Sequence, residues 1–449
     1  MHHPKNAKRE ISRRDALKWG MMGAAGLALP DLFRMPALAA QPQPQPKAGA
    51  KAVIQIWMWG GPSHLDTFDP KPEAGYDYCG PFNKPIETNV KGIRICELLP
   101  KLAQQADKYS IIRSMTHGIN AHETASYMMQ TGRQPGRLVY PSVGAVVSLF
   151  KGVGHGYKGL VPPYIVLTES QGRFSEAGFL GPSYKPFVTG GDPAKTPFAV
   201  EGIIAQGIPD PRQEKRRHLL HSLDTLGKAL PDNPKFTQLD ACEKKAYELM
   251  FGEARTLFDL SREKDELRDQ YGRNTFGQAC LAARRLIEHG VAYVTINYKG
   301  WDTHKQHFEL MRRQLPELDA GFATLLSDLA ERGLLDSTIV WWGGEFGRGP
   351  KIDWDPPWNG GRSHYGKCFS VVVAGGGFLG GKVVGASNKT GTEPAERPVH
   401  PQDLIAGIYE RLGIDPEGPL PNPRGLDVKV MPASEGGGGR LREIMKTQG

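Results

Sequence analysis

Residues 291–304, VAYVTINYKGWDTH, constrain the fold more than any other stretch. A run rich in β-branched and aromatic residues lacks clean polar alternation and stops at Lys299, Gly300 and Trp301. Strands of this kind are buried on both faces, as in parallel sheets covered by helices. Such sheets build their sites beyond the C-terminal ends of the strands. Here an acid and an imidazole follow, Asp302 and His304. Residues two apart in extended backbone project to one side, so the pair is delivered together.

Similar short runs, rich in Val and Ile, recur at 53–59, 110–115, 164–168, 338–342 and 370–374. Helical patterns fall between them: 123–132, 276–288 ending at Gly290, 305–332 and 401–412. Residues 212–290 read as mostly helical, and Pro316 is expected to kink or divide the helix it interrupts. The alternation predicts an α/β three-layer sandwich, with a largely parallel central sheet and helices on both faces. A chain of 449 residues can devote this length to one such sheet with insertions.

Residues 1–40 read as an export signal. Ser12-Arg13-Arg14-Asp15-Ala16-Leu17-Lys18 resembles the twin-arginine motif, and a short apolar stretch and Ala37-Leu38-Ala39 follow. The stretch is broken by Pro30, Asp31 and Arg34, so no stable transmembrane anchor is expected. The expected partner is the twin-arginine translocation machinery, and the expected location periplasmic or secreted after export in the folded state. Residues 41–50 form a Pro/Gln-rich linker, 51–433 the domain, and 434–449 a Gly-rich mobile tail. Removing the signal takes four charges from the formal +8, and no basic patch remains that would call for nucleic acid. Five scattered cysteines form no C-x-x-C pair and no disulfide framework.

Polar residues gather after the strands. His64, Asp66 and Asp69 follow the first, and His117 and His122 the second. Asp302 and His304 follow the 291–298 run, Glu345 follows 338–342, and His364 precedes the next strand. The strand ends share one edge, so a common metal site is expected there, with His64, Asp66, Asp302, His304 and Glu345 as ligands. Imidazoles with carboxylates suit zinc, manganese or iron, whereas an oxygen shell would favour calcium or magnesium. Asp66 and Asp69 fit equally as helix caps or turn residues, and His117 as a loop residue. His155, His218, His221, His289 and His307 read as surface or packing residues.

GGPSHLDTFDPKP, HETASYMMQTGR, FGQACLAARRLIEHGV, WDTH, GEFGR and GRSHYG together resemble the bacterial family known as domain of unknown function 1501. That family is grouped with the alkaline phosphatase and sulfatase superfamily, which implies a metal-assisted site for phosphate or sulfate esters. Aligning Thr131-Gly132-Arg133 with the sulfatase Thr-Gly-Arg puts His122 at the nucleophile position. Glu345 then stands for the sulfatase metal-binding Asp, and His364 and Lys367 for the His and Lys that face the ester. The departures are specific. No Cys or Ser stands at the nucleophile position, Gly60 and Gly61 replace a pair of acids, and Phe346 replaces a ligand.

Two hydrolytic routes follow: metal-activated water, or covalent attack by Thr124 or His122 with a histidine as acid. The plentiful ligands and missing nucleophile favour water. Arg348 and Arg133 are candidates for binding the anionic substrate, with Arg133 equally a helix-end charge. The substrate is expected to be a small-molecule or glycan ester. The competing reading is a catalytically altered protein that binds acidic glycans or cell-envelope partners.

Overall fold

The computed structural model describes residues 49–170, 176–201, 252–422, 425–436 and 438–447, with residues 211, 212, 215 and 219. The expected signal, most of the expected linker and most of the expected helical region before residue 252 lie outside these. The chain divides into two compact units, Met1–Gln41 and Pro42–Gly449, and the described residues all belong to the second. No helix among them is long and apolar enough to cross a membrane.

The main strands are β1 (Ala52–Met58), β2 (Tyr109–Met115), β3 (Tyr164–Leu167), β4 (Phe187–Val188), β5 (Tyr293–Tyr298), β6 (Thr338–Gly343), β7 (Phe369–Ala374) and β8 (Lys382–Val384). They form one sheet in the order β8-β2-β7-β6-β1-β5-β3-β4. β1 pairs in parallel with both β5 and β6, and β7 alone runs against its neighbours β2 and β6. The six strands legible in the sequence are all present. The short edge strands β4 and β8 carry too little pattern to be read.

Alternate side chains of β1 enter two different cores. Ile54, Ile56 and Met58 join Leu281, Leu286, Leu318 and Phe322 on one face. Val53 and Trp57 join Val146, Leu149, Leu404 and Ile408 on the other. Burial on both sides is what the absence of alternation implied. The first face is covered by α3 (Thr275–Glu288) and α4 (His307–Glu331), the second by α2 (Val143–Lys151) and α5 (Pro401–Arg411). Asn274 caps α3 by accepting the Gly277 N–H at 2.8 Å.

Two local expectations are corrected. α4 is not divided at Pro316, where buried Leu315 and Leu318 pack the helix on the sheet and outweigh one lost backbone hydrogen bond. The tail does not simply hang free, because Leu441 and Ile444 are buried in the second core and Met445 bridges to Phe378.

The end of β1 explains the two glycines that replace an acid pair. Gly60 has φ +110, and a Cβ there would lie 2.1 Å from the backbone nitrogen of Asp302. Gly61 has φ +81, and its Cβ would lie 2.5 Å from the Phe346 ring. The chain leaving β1 passes between the loops after β5 and β6, and only a residue without a side chain fits. Gly60→Ala is therefore expected to cost about 1–3 kcal/mol from backbone conformation alone, before the clash is counted. Urea denaturation of the variant checks this; an unchanged midpoint would contradict the close approach.

Candidate metal centre

Four chain segments meet beyond this edge of the sheet. The loop after β5 brings Asp302 and His304, and the loop after β6 brings Glu345 and Arg348. The segment before β7 brings His364, whose backbone pairs with Arg348. Because β7 is antiparallel, its beginning lies at the same edge as the ends of its neighbours. The fourth segment joins β2 to α1 (His122–Thr131), whose first residue is His122. Its approach is fixed by Gly366, whose carbonyl accepts the N–H groups of His117 and Gly118 at 3.0 and 2.9 Å. Asn120 Oδ1 in turn accepts the Gly366 N–H at 2.7 Å.

Asp302 is the hub. Its Oδ1 lies 3.0 Å from His364 Nε2, 3.1 Å from His304 Nε2 and 2.7 Å from Arg348 Nη1. Its Oδ2 lies 3.3 Å from His122 Nε2. His304 and His364 face one another through their Nε2 atoms at 2.8 Å. Ligand atoms of His122, Asp302 and His364 all fall within 4.8 Å of one another.

Metal-ligating histidines generally donate the other ring N–H to a carboxylate or carbonyl, which fixes the ring. His122 Nδ1 donates to Glu345 Oε1 at 2.6 Å, and His364 Nδ1 faces the Asn120 carbonyl at 2.9 Å. Ligands held about 2.0–2.1 Å from a tetrahedral cation lie roughly 3.3 Å apart, close to the separations seen here. Two Nε2 atoms at 2.8 Å otherwise require a proton between them. Glu345 Oε2 is buried without a hydrogen-bond partner, costly unless a cation or its water meets it. The donor set of His122, Asp302 and His364 could hold one cation, and His304 Nε2 stands beside it, 3.1 Å from Asp302 and 2.8 Å from His364.

The electrostatics follow from the same contacts. Hydrogen bonds to Asp302 and Glu345 outweigh burial and raise the His122 imidazole to about 9. Burial pushes the Asp302 carboxyl up, but hydrogen bonds from His122 and His364 and the Arg348 charge hold it well below the usual carboxylate range. Burial, with the nearby Arg348 charge, lowers His304.

Several expected roles change. Glu345 Oε1 reaches His122 Nδ1 and the Gly60 N–H (2.9 Å), and Glu345 is not in the group formed by His122, Asp302 and His364. His122 and His364, expected as catalytic groups, lie with Asp302 in the group whose ligand atoms fall within 4.8 Å of one another. Arg348 is fully buried and donates from Nη1 and Nη2 to Asp302 and to the carbonyls of Gly60 and Arg362. Arg133 stands at the far end of α1, donates to the Lys429 carbonyl at 2.6 Å and covers the Tyr140 ring. Thr124 lies about 200° around the helix from His122, so it faces away. Lys367 is exposed and forms no ion pair among the described residues.

His64 and Asp66 are not at the hub. His64 is buried with Nε2 on the Gly391 carbonyl at 2.8 Å. Asp66 pairs with Arg362 Nε at 2.7 Å and His307 Nε2 at 2.9 Å, all three fully buried. Burial raises the Asp66 carboxyl, but Arg362 and His307 overcome it and bring it to about 2. His307 Nδ1 meets Thr303 Oγ1 at 2.6 Å, so the network grips the residue between Asp302 and His304. His307 is thus a member of a buried polar network, not only a packing residue. Arg362 was overlooked, although it stands two residues before His364 in GGRSHYG.

A family profile described as "Protein of unknown function (DUF1501)" matches residues 50–438. No curated protein matches the chain. Among solved structures, a lipoteichoic acid synthase from Listeria monocytogenes is similar at 9% identity and TM-score 0.36, over 88% of this chain and 77% of its own. A sulfatase from Pseudoalteromonas sp. is similar at 14% identity and TM-score 0.34, over 84% and 69%. An alkaline phosphatase superfamily protein from Vibrio parahaemolyticus is similar at 10% identity and TM-score 0.36, over 83% and 68%. Likeness at this level carries no argument about the site.

A cation entering the centre must displace the His122 proton. Between the ordinary histidine value of about 6.5 and the folded value of about 9, metal affinity is expected to rise with pH, with protons released on uptake. The sign reverses for metal-free stability: His122 contributes fully below about pH 6.5, and the contribution is lost as pH rises through about 9. Calorimetric metal titration in buffers of different ionisation enthalpy measures the released protons; uptake independent of pH across this window would contradict it.

Proposed function

The chain belongs to the DUF1501 family, and on that footing we propose that it is a metal-dependent hydrolase of phosphate or sulfate esters that uses activated water. The observation that carries the reading is the convergence of three imidazole Nε2 atoms on one carboxylate. A divalent cation held there supplies Lewis acidity to the ester and lowers the pKa of water towards neutrality.

The protein's own groups set the conditions. His122 has both ring nitrogens committed, to Glu345 and Asp302, and Thr124 faces away, so neither is placed for covalent attack. Arg348 pins one oxygen of Asp302 and offsets part of the local negative charge. Phe346 lies against the rings of His122 and His364, at 5.0 and 4.7 Å, and keeps water from their inner side. Trp59 stacks on His122 at 5.6 Å. The ester class rests on the sulfatase-like motif around Thr131-Gly132-Arg133, which aligns His122 with the reactive position. The twin-arginine motif supports folded export to the periplasm, and export in the folded state would carry the metal with the protein.

The missing Cys or Ser nucleophile favours the second reading, an exported protein that binds acidic glycans without turnover. Metal analysis, followed by assays on an aryl phosphate, a phosphodiester and a sulfate ester, separates the two. Asp302→Ala is expected to lose the metal and with it measurable turnover. Glu345→Gln is expected to weaken metal affinity by roughly 10–100-fold while leaving His122, Asp302 and His364 in place. Turnover that survives chelation and Asp302→Ala contradicts the proposal. Bound metal, no turnover on any ester and tight glycan binding would select the binding protein.

A further inference from the structure

Beside the centre stands an aromatic surface that the hydrolytic reading leaves unused. Trp358 is 41% exposed, while the other tryptophans among the described residues are buried or half-buried. Its loop is not loose. Asp353 pairs with Gly361, and the Asp355 carbonyl accepts the N–H groups of Trp358 and Asn359 at 2.9 and 3.2 Å. The Gln306 N–H donates to the Trp358 carbonyl at 3.0 Å, which ties the loop to the segment that carries His304. The Trp358 ring centre lies 6.2 Å from that of His304. The Lys305 ammonium lies 5.9 Å from the same indole and forms no ion pair among the described residues. An exposed indole on a fixed loop, at the rim of a centre and next to a free cation, has the features of a binding surface.

We infer that Trp358 and Lys305 form a subsite for a sugar ring that carries a second acidic group, next to the ester held at the metal centre. The inference rests on the centre proposed above. An ester bound at the centre directs its organic moiety outward, over the indole. A bare aryl group would stack there but leave Lys305 and the exposed side chains of Asp355 and Asn359 without matching groups. A hydroxylated ring meets all of them: its apolar face on Trp358, its hydroxyls toward Asp355 and Asn359, and its second anion toward Lys305.

The test is titration calorimetry on the metal-loaded protein with inorganic sulfate, glucose 6-sulfate, glucose 6-phosphate, 4-nitrophenyl sulfate and a sulfated disaccharide containing a uronate. Trp358→Ala is expected to weaken the disaccharide and at least one glucose ester by about tenfold, with metal content and inorganic sulfate binding unchanged. Trp358→Phe should keep most of the affinity. Lys305→Met should weaken the disaccharide but not the glucose esters. The subsite is overturned if no sugar ester binds, if Trp358→Ala binds them as the wild type does, or if only 4-nitrophenyl sulfate is affected. Turnover is measured in parallel. Sugar binding that depends on Trp358 without hydrolysis would remove the hydrolase and leave the subsite standing.

Discussion

One carboxylate organises the site. Asp302 faces three imidazoles and a buried guanidinium, and no other group among the described residues gathers so many ligating side chains. Its position is dictated by backbone: Gly60 lets β1 pass against the Asp302 nitrogen, and Arg348 spans Asp302 and the Gly60 carbonyl. A second, fully buried tier of Asp66, Arg362 and His307 holds Thr303 from below. Removing one member of such a buried pair generally costs about 3–5 kcal/mol, because the other charge is left unpaired in a medium that cannot solvate it.

The topology makes the convergence possible. Strand ends of a parallel sheet reach one edge, which accounts for Asp302, His304 and Glu345. His364 precedes its strand and would fall on the wrong side if β7 were parallel. The reversal of β7 brings it back to the same edge.

Much of this was legible in the chain, and the losses have physical causes. The two-sided burial of the strands left an unmistakable apolar pattern, so six strands and the three-layer class could be read. The gathering of His122, Asp302, His304 and His364 was also readable, since each follows or precedes a strand. Their roles were not, because ligand and orienting partner differ by a few ångströms of side-chain reach that spacing does not encode. Glu345 looks like a ligand in sequence and proves to hold His122 Nδ1. His64 and Asp66 carry the same residue types as the centre, yet the chain from Gly60 turns them into the core. Arg348 is a candidate for an anion in sequence, but its Nη1 and Nη2 groups donate to protein oxygens. Pairing between residues 66, 307 and 362 is long-range, and no local pattern announces it.

The central claim is that His122, His364 and Asp302 share one cation. X-ray absorption at the edge of the bound metal, on protein purified without added chelator, tests it most directly. The account predicts about two imidazole nitrogen ligands near 2.0–2.1 Å with their outer-shell scattering and one carboxylate oxygen, all lost in Asp302→Ala. Metal bound through oxygen alone, or imidazole scattering that persists in Asp302→Ala, would contradict it.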